Sequence, residues 1–112
     1  MVYSLCRKFS LNSNRKGDHE MSTKKMVVWK YTLEEPKMVI HLHPNAEVLC
    51  SQVQNEKCVI WVMSNANDGR TVPRTFARYP TGVALPDSVR AYVGTCQLAG
   101  GSSVLHVFEE LG

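Results

Sequence analysis

Apolar residues run without interruption from Cys58 to Met63, with no Gly or Pro among them. The run is too short for an ordinary helix. β-branched and aromatic types dominate it and turn residues bound it, which predicts a strand over Lys57–Ser64 with both faces buried. Upstream, Val27, Trp29, Tyr31 and Leu33 alternate with Lys30 and Thr32, the period-2 signature of a half-buried strand over Met26–Leu33. Glu34-Glu35-Pro36-Lys37 is a polar turn. Met38–Leu42 is a second strand, closed by His43-Pro44-Asn45. Ala46–Gln54 is a third, with Val48, Cys50 and Gln52 on one face and Leu49, Ser51 and Val53 on the other. A two-residue turn at Asn55-Glu56 then sets Cys58 opposite Val53 and Cys50 opposite Trp61.

Beyond the central run, Asn65-Ala66-Asn67-Asp68-Gly69 is a loop. Thr71–Tyr79 is a fifth extended segment, and Pro73 inside it removes a backbone donor, so an edge or a bend is expected there. Pro80–Asp87 is a longer loop with two prolines, with room for one helical turn at Asp87–Arg90. Arg90–Leu98 is a sixth strand, Ala99-Gly100-Gly101-Ser102 a hairpin turn, and Ser103–Glu109 a seventh strand. No segment sustains a 3.6-residue period. The expected fold is all-β: a small antiparallel β-sandwich or barrel of about seven short strands. Open edges in so small a sheet invite pairing, so a homo-oligomer is expected.

The first 25 residues differ from the rest. They are rich in Ser, Asn, Lys and Arg without a period, and they are expected to form a disordered or processed leader to a single β domain over 26–112. Lys16-Gly17-Asp18 can be encoded by a purine-rich ribosome-binding sequence, which places the expected natural start at Met21 or Met26. The charge divides at the same point. Six basic and two acidic residues give the leader +4, so the overall +3 leaves the domain at −1. A clustered positive face for nucleic acid is therefore not expected of the domain. No stretch approaches the length of about 18 apolar residues that crosses a bilayer, and the N-terminus lacks the apolar core and cleavage site of a secretory signal. No membrane association is expected.

Cys6, Cys50, Cys58 and Cys96 show no metal-ligand spacing. Cys50 and Cys58 fall on opposite faces of the proposed hairpin, so a bridge between them is not expected; the cysteines read as reduced thiols of a cytoplasmic protein. His41 and His43 share a strand face and His106 is a conceivable third ligand, but no acid or cysteine stands at a partnering spacing. One partly buried and one exposed histidine is the expectation, with no metal and no cofactor. Cys96 and His106 flank the Ala99–Ser102 turn as potential neighbours. A strand cysteine in apolar surroundings is usually an inert core residue, and Gly100-Gly101 lacks the helix and Lys-Ser/Thr of a phosphate loop. No enzymatic activity is expected.

The polar segment that stands out is Arg70–Gly82. Arg74, Phe76 and Arg78 share a strand face. Two guanidiniums beside an aromatic ring can clamp a phosphate, a carboxylate or a nucleobase; equally, they can pair with Glu109, Glu110 or Asp87, or cover Phe76 with their stems. Arg74, Phe76, Arg78, Tyr79, Thr81 and Gly82 form the candidate ligand- or partner-binding set.

Several segments together resemble a family of small bacteriophage and prophage proteins of uncharacterised function: Trp29-Lys30-Tyr31, Val48–Asn55, Ile60-Trp61, Arg74-Thr75-Phe76, Gly82, Leu85-Pro86, Tyr92-Val93-Gly94-Thr95, Gly100-Gly101 and Leu105–Glu109. The resemblance covers about residues 26–110. It implies a phage protein working in the cytoplasm of a bacterial host and carries no activity with it. The first expectation for function is a non-enzymatic binding protein acting on a host or defence protein. Alternatives are sequestration of a small anionic ligand such as a nucleotide, through Arg74 and Arg78, and a minor structural part of the virion.

Overall fold

The computed structural model describes residues 24–112, and the expectations for the leader and for a start at Met21 lie outside the described residues. Seven strands follow one another: β1 (Met26–Thr32), β2 (Lys37–Leu42), β3 (Glu47–Gln54), β4 (Lys57–Asn65), β5 (Val72–Pro80), β6 (Val89–Leu98) and β7 (Ser103–Glu110). They form two antiparallel sheets, a three-stranded one in the order β1-β4-β3 and a four-stranded one in the order β2-β5-β7-β6. The fold is an open β-sandwich. No helix among the described residues is long and apolar enough to cross a membrane.

Between the sheets lie Leu33, Ile40, Leu42, Cys58, Ile60, Val62, Phe76, Val93, Cys96 and Val107, with Tyr31, Met38, Val48, Leu98 and Leu105 packed against them. Phe76, Ile60, Val62 and Val107 have no exposed surface, and burial of each such side chain contributes about 1.5–3 kcal/mol. The run that anchored the sequence pattern is the central strand of the smaller sheet. Its inner residues Cys58, Ile60 and Val62 are fully buried, and Val59 on its other face is buried too.

The β3–β4 hairpin has the expected register, Val53 opposite Cys58 and Cys50 opposite Trp61. Both turn residues take the left-handed conformation that a two-residue primed turn requires, Asn55 at φ 54° and Glu56 at φ 64°. Farther along β3 the simple alternation fails. A bulge between Val48 and Cys50 inserts Leu49, so Val48 pairs with inward Val62 while Cys50 lies on the other face.

Pro73 also departs from expectation. β5 is an interior strand, flanked by β2 and β7. Its pairing with β7 begins only at Thr75, so at Pro73 the strand pairs with His41 of β2 alone. A proline is tolerated there because β5 overhangs its other neighbour. At the start of the domain, Asn65 Oδ1 accepts from the Lys25 amide and the Lys25 carbonyl accepts from the Ala66 amide, which continues the β1–β4 pairing by one residue.

The sheets approach each other most closely at β3 and β6. A Cβ placed on Gly94 would lie 2.8 Å from Ser51 N, so glycine is what permits this contact. Cys58 and Cys96 are free thiols, but Cys50 is disulfide-bonded, which corrects the expectation of reduced thiols throughout.

Candidate functional site

The six residues singled out in the sequence divide between the two faces of the four-stranded sheet. In the β5–β7 ladder Arg74, Phe76 and Arg78 share the inner face with Val107 and Glu109, while Tyr79 pairs with His106 on the outer face. The shared face of Arg74, Phe76 and Arg78 is as expected, but it is turned into the sandwich. Phe76 is the largest side chain with no exposed surface, so no base or ring can stack on it.

All three nitrogens of Arg74 are engaged. Its Nε donates to Glu109 Oε2 at 2.7 Å, one terminal nitrogen donates to Oε1 at 2.8 Å, and the other donates to the Ala46 carbonyl at 2.8 Å. This is the fork geometry that favours arginine over lysine. Arg78, half-buried, turns its guanidinium to the thiols of Cys58 and Cys96. The two cations therefore serve different partners and do not close on a common anion.

The outer face carries a different constellation. Phe108 on β7 stands between Tyr79 on β5 and Tyr92 on β6, with ring centroids 6.3 Å and 5.5 Å away. The Tyr92–Phe108 contact is edge-on, the arrangement favoured by aromatic quadrupoles. Tyr92 is 55% exposed. Beside these rings His106 is held at both nitrogens, by Thr81 Oγ1 at 2.8 Å and Thr95 Oγ1 at 3.0 Å. The Tyr92 hydroxyl joins this chain at Thr95, 2.5 Å away. Of the remaining predicted residues, Thr81 thus supports the histidine, and Gly82, at φ 91°, supplies a turn conformation that other residues rarely adopt.

Tyr79 is anchored from behind. Its hydroxyl donates to Glu110, whose side chain is fully buried and also receives Lys37 Nζ at 3.2 Å and Ser88 Oγ at 3.4 Å. Burial and the adjoining carboxylate push Tyr79 up to about 12. Burial pushes Glu110 up as well, but the donations from Tyr79, Lys37 and Ser88 outweigh it and hold the acid below its ordinary value.

The other constellations come apart. His43 Nδ1 accepts from the Asn45 amide, and Nε2 lies 2.8 Å from Asp68 Oδ2. That fixes the Nε2–H tautomer, with the proton directed at the carboxylate. Arg70 grips the same carboxylate, and its hydrogen bonds and those of His43 hold Asp68 well below the usual carboxylate range. His41 is exposed on β2 and His106 lies on the other ladder of the sheet, so the three rings do not converge. Cys96 and His106, potential neighbours in the sequence, stand on opposite faces: Cys96 pairs with inward Leu105, and His106 with outward Thr95.

Sequence reasoning missed Tyr92 and Phe108 as site residues. A signal was available, since β7 carries apolar or aromatic residues at both parities, which is unusual for a strand with one face in water. Comparison with known proteins finds no match among curated proteins and none among solved structures. A family profile, described as Domain of unknown function (DUF7352), matches residues 24–112. The chain therefore belongs to the DUF7352 family.

Proposed function

We propose that the chain is a non-enzymatic binding protein that docks a protein partner on the outer face of β5, β7 and β6. The observation that carries this reading is the Tyr79–Phe108–Tyr92 cluster, with Tyr92 largely in solvent and a hydrogen-bonded His106 beside it. Rigid aromatic side chains with polar tips are the residues that dominate protein interfaces, because they bury much area at small entropic cost. Anchoring of Tyr79 by Glu110 and of His106 by two threonines keeps the face in one arrangement before binding, which lowers the cost of association. Sequestration of an anion has less support, because the Arg74 charge is already paired with Glu109 and its third nitrogen donates to the Ala46 carbonyl.

The resemblance of the Trp29-Lys30-Tyr31 to Leu105–Glu109 pattern to phage proteins supports a bacterial setting, and a small phage protein with exposed sheet edges suits a host or defence protein as partner. In this reading a bacteriophage encodes the chain, it works in the bacterial cytoplasm, and it inhibits a host or defence protein. The exposed β1 edge, with Met26 and Val28 about half exposed, suits pairing with a second copy, which sedimentation measures.

Photo-crosslinking from position 92, with position 28 as the comparison site, tests the docking face. The reading expects a discrete heterologous product from bacterial cytoplasm at position 92 and none at position 28. It also expects Tyr92→Ser to abolish capture while Val28→Ser retains it, both variants keeping the strand signature in circular dichroism. A product containing only this chain would assign the face to self-association. Capture unaffected by Tyr92→Ser would remove the face from the proposal.

A further inference from the structure

Inside the sandwich, away from the aromatic face, two sulfur atoms meet across the sheets. Cys58 lies on β4 and Cys96 on β6, both without exposed surface and both free. Both belong to the one buried cluster between the sheets, where each thiol is the other's strongest electrostatic neighbour. Ser51 Oγ sits 3.2 Å from Cys96 Sγ and also donates to the Val59 carbonyl at 3.0 Å. The Gly94–Ser51 contact brings the sheets together at this point. A disulfide demands Cβ atoms about 3.5–4.5 Å apart, and the close approach of the sheets at Gly94 and Ser51 is what a bond between the two sulfurs requires.

We propose that Cys58 and Cys96 form a redox site, a dithiol that a hydroperoxide oxidises to a disulfide joining the two sheets. Cys96 is the attacking sulfur. The Cys58 thiol and the Arg78 guanidinium stand beside it, the Ser51 hydroxyl can turn its proton from the Val59 carbonyl to the thiolate, and together they outweigh burial and bring it below the ordinary thiol value. Cys58 is pushed up by the neighbouring Cys96 and by burial, and keeps its proton. The Cys96 thiolate attacks the peroxide oxygen, the O–O bond breaks, and with hydrogen peroxide hydroxide leaves and takes up the Cys96 proton as water. Cys58 then attacks the Cys96 sulfenic acid sulfur, its proton goes to the departing hydroxyl, and a second water leaves. Two thiols are oxidised and one peroxide is reduced to two waters.

Arg78 supplies the charge. Among the described residues no carboxylate pairs with it, and its half-buried side chain links the sulfur pair to the surface.

Peptide mapping of the full chain after hydrogen peroxide treatment and alkylation tests the site. Trypsin releases Cys58–Arg70 and Ala91–Gly112, each with a single cysteine. The expected product is these two peptides joined, with the loss of two hydrogens, formed in folded protein and reversed by dithiothreitol. The joined form should also unfold at a higher temperature than the reduced one. Arg78→Met should slow the joining several-fold and Arg78→Lys should restore it, a dependence that a merely structural arginine would not show. Recovery of both peptides singly, as alkylated thiols or as sulfinic or sulfonic acids, would overturn the proposal, as would joining at the same rate in Arg78→Met.

Discussion

Gly94 on β6 rests directly on the backbone of Ser51 on β3: a Cβ at Gly94 would stand 2.8 Å from Ser51 N and 2.9 Å from both its carbonyl oxygen and its own Cβ. Two of those three neighbours are main-chain atoms, which cannot swing aside as the tip of a side chain can. Gly94→Ala therefore has to separate the sheets where they lie closest. Overpacking of this kind costs about 1–3 kcal/mol, and the change should appear in urea unfolding as a lower midpoint with an unchanged slope. Gly69→Ala, with open space around its α-carbon, is the matching change that should leave the midpoint nearly where it is.

Arg74 holds together three parts of the fold: its own strand, Glu109 on β7 and the Ala46 carbonyl before β3. Both side chains of the ion pair are about four-fifths buried. Arg74→Met should cost about 2 kcal/mol, because it leaves a carboxylate and a carbonyl short of their donors. Removing Glu109 as well, in the double variant Arg74→Met with Glu109→Leu, should recover part of that loss, and a double-mutant cycle measures the coupling. Arg70→Met removes an ion pair with Asp68 whose cation is 70% exposed, and should leave the unfolding curve unchanged.

The response to pH follows from the Tyr79–Glu110 pair. Glu110 is held below its ordinary value of 4.5, so its contribution to stability is complete above that value and is lost as pH falls through its lower folded value. Tyr79 is raised from 10.0 to about 12. The folded state therefore retains that proton more tightly than the unfolded chain does. The contribution is complete below pH 10.0 and is lost as pH climbs towards 12. Thermal midpoints measured across pH should fall at both ends. Tyr79→Phe should remove the alkaline fall that belongs to this group, and Glu110→Gln should flatten the acid one.

Much of this architecture was legible because strands announce themselves locally. Alternation in β1, the uninterrupted apolar run of β4 and the Asn55-Glu56 turn each depend on neighbours in the chain, and the observed strand limits depart from the expected ones by about one residue. Strand order was not legible. β1 reaches across to β4, and β7 inserts between β5 and β6, pairings that join distant segments and leave no local trace. The Arg74–Phe76–Arg78 pattern reads as a surface because charge usually marks the solvent side. Here Phe76 directs that face inwards, and the arginines follow because Glu109, the Ala46 carbonyl and the two thiols receive them. The aromatic face was overlooked for a related reason: Tyr79, Tyr92 and Phe108 come from three strands, and only the sheet order brings them side by side.

The β3–β4 hairpin retains a local conflict that substitution can relieve. Glu56 occupies a left-handed position at φ 64°, where a Cβ costs about 1–2 kcal/mol, and the pair favoured for such a turn is Asn followed by Gly. Glu56→Gly keeps Asn55 and completes that pair. The change gives up only an exposed contact, Glu56 Oε1 receiving the Ala99 amide at 3.4 Å. Glycine also widens the unfolded ensemble, which offsets part of the gain. The net expectation is a stabilisation of about 0.5–1 kcal/mol, read as a higher urea midpoint. Asn55→Gly, by contrast, should gain less, because asparagine already tolerates the left-handed region. If Glu56→Gly were neutral or destabilising, the Glu56–Ala99 contact would have to hold the β3–β4 turn to the β6–β7 turn more firmly than its length and exposure indicate. Glu56→Gln, which keeps the acceptor oxygen, would then separate that explanation from one based on charge.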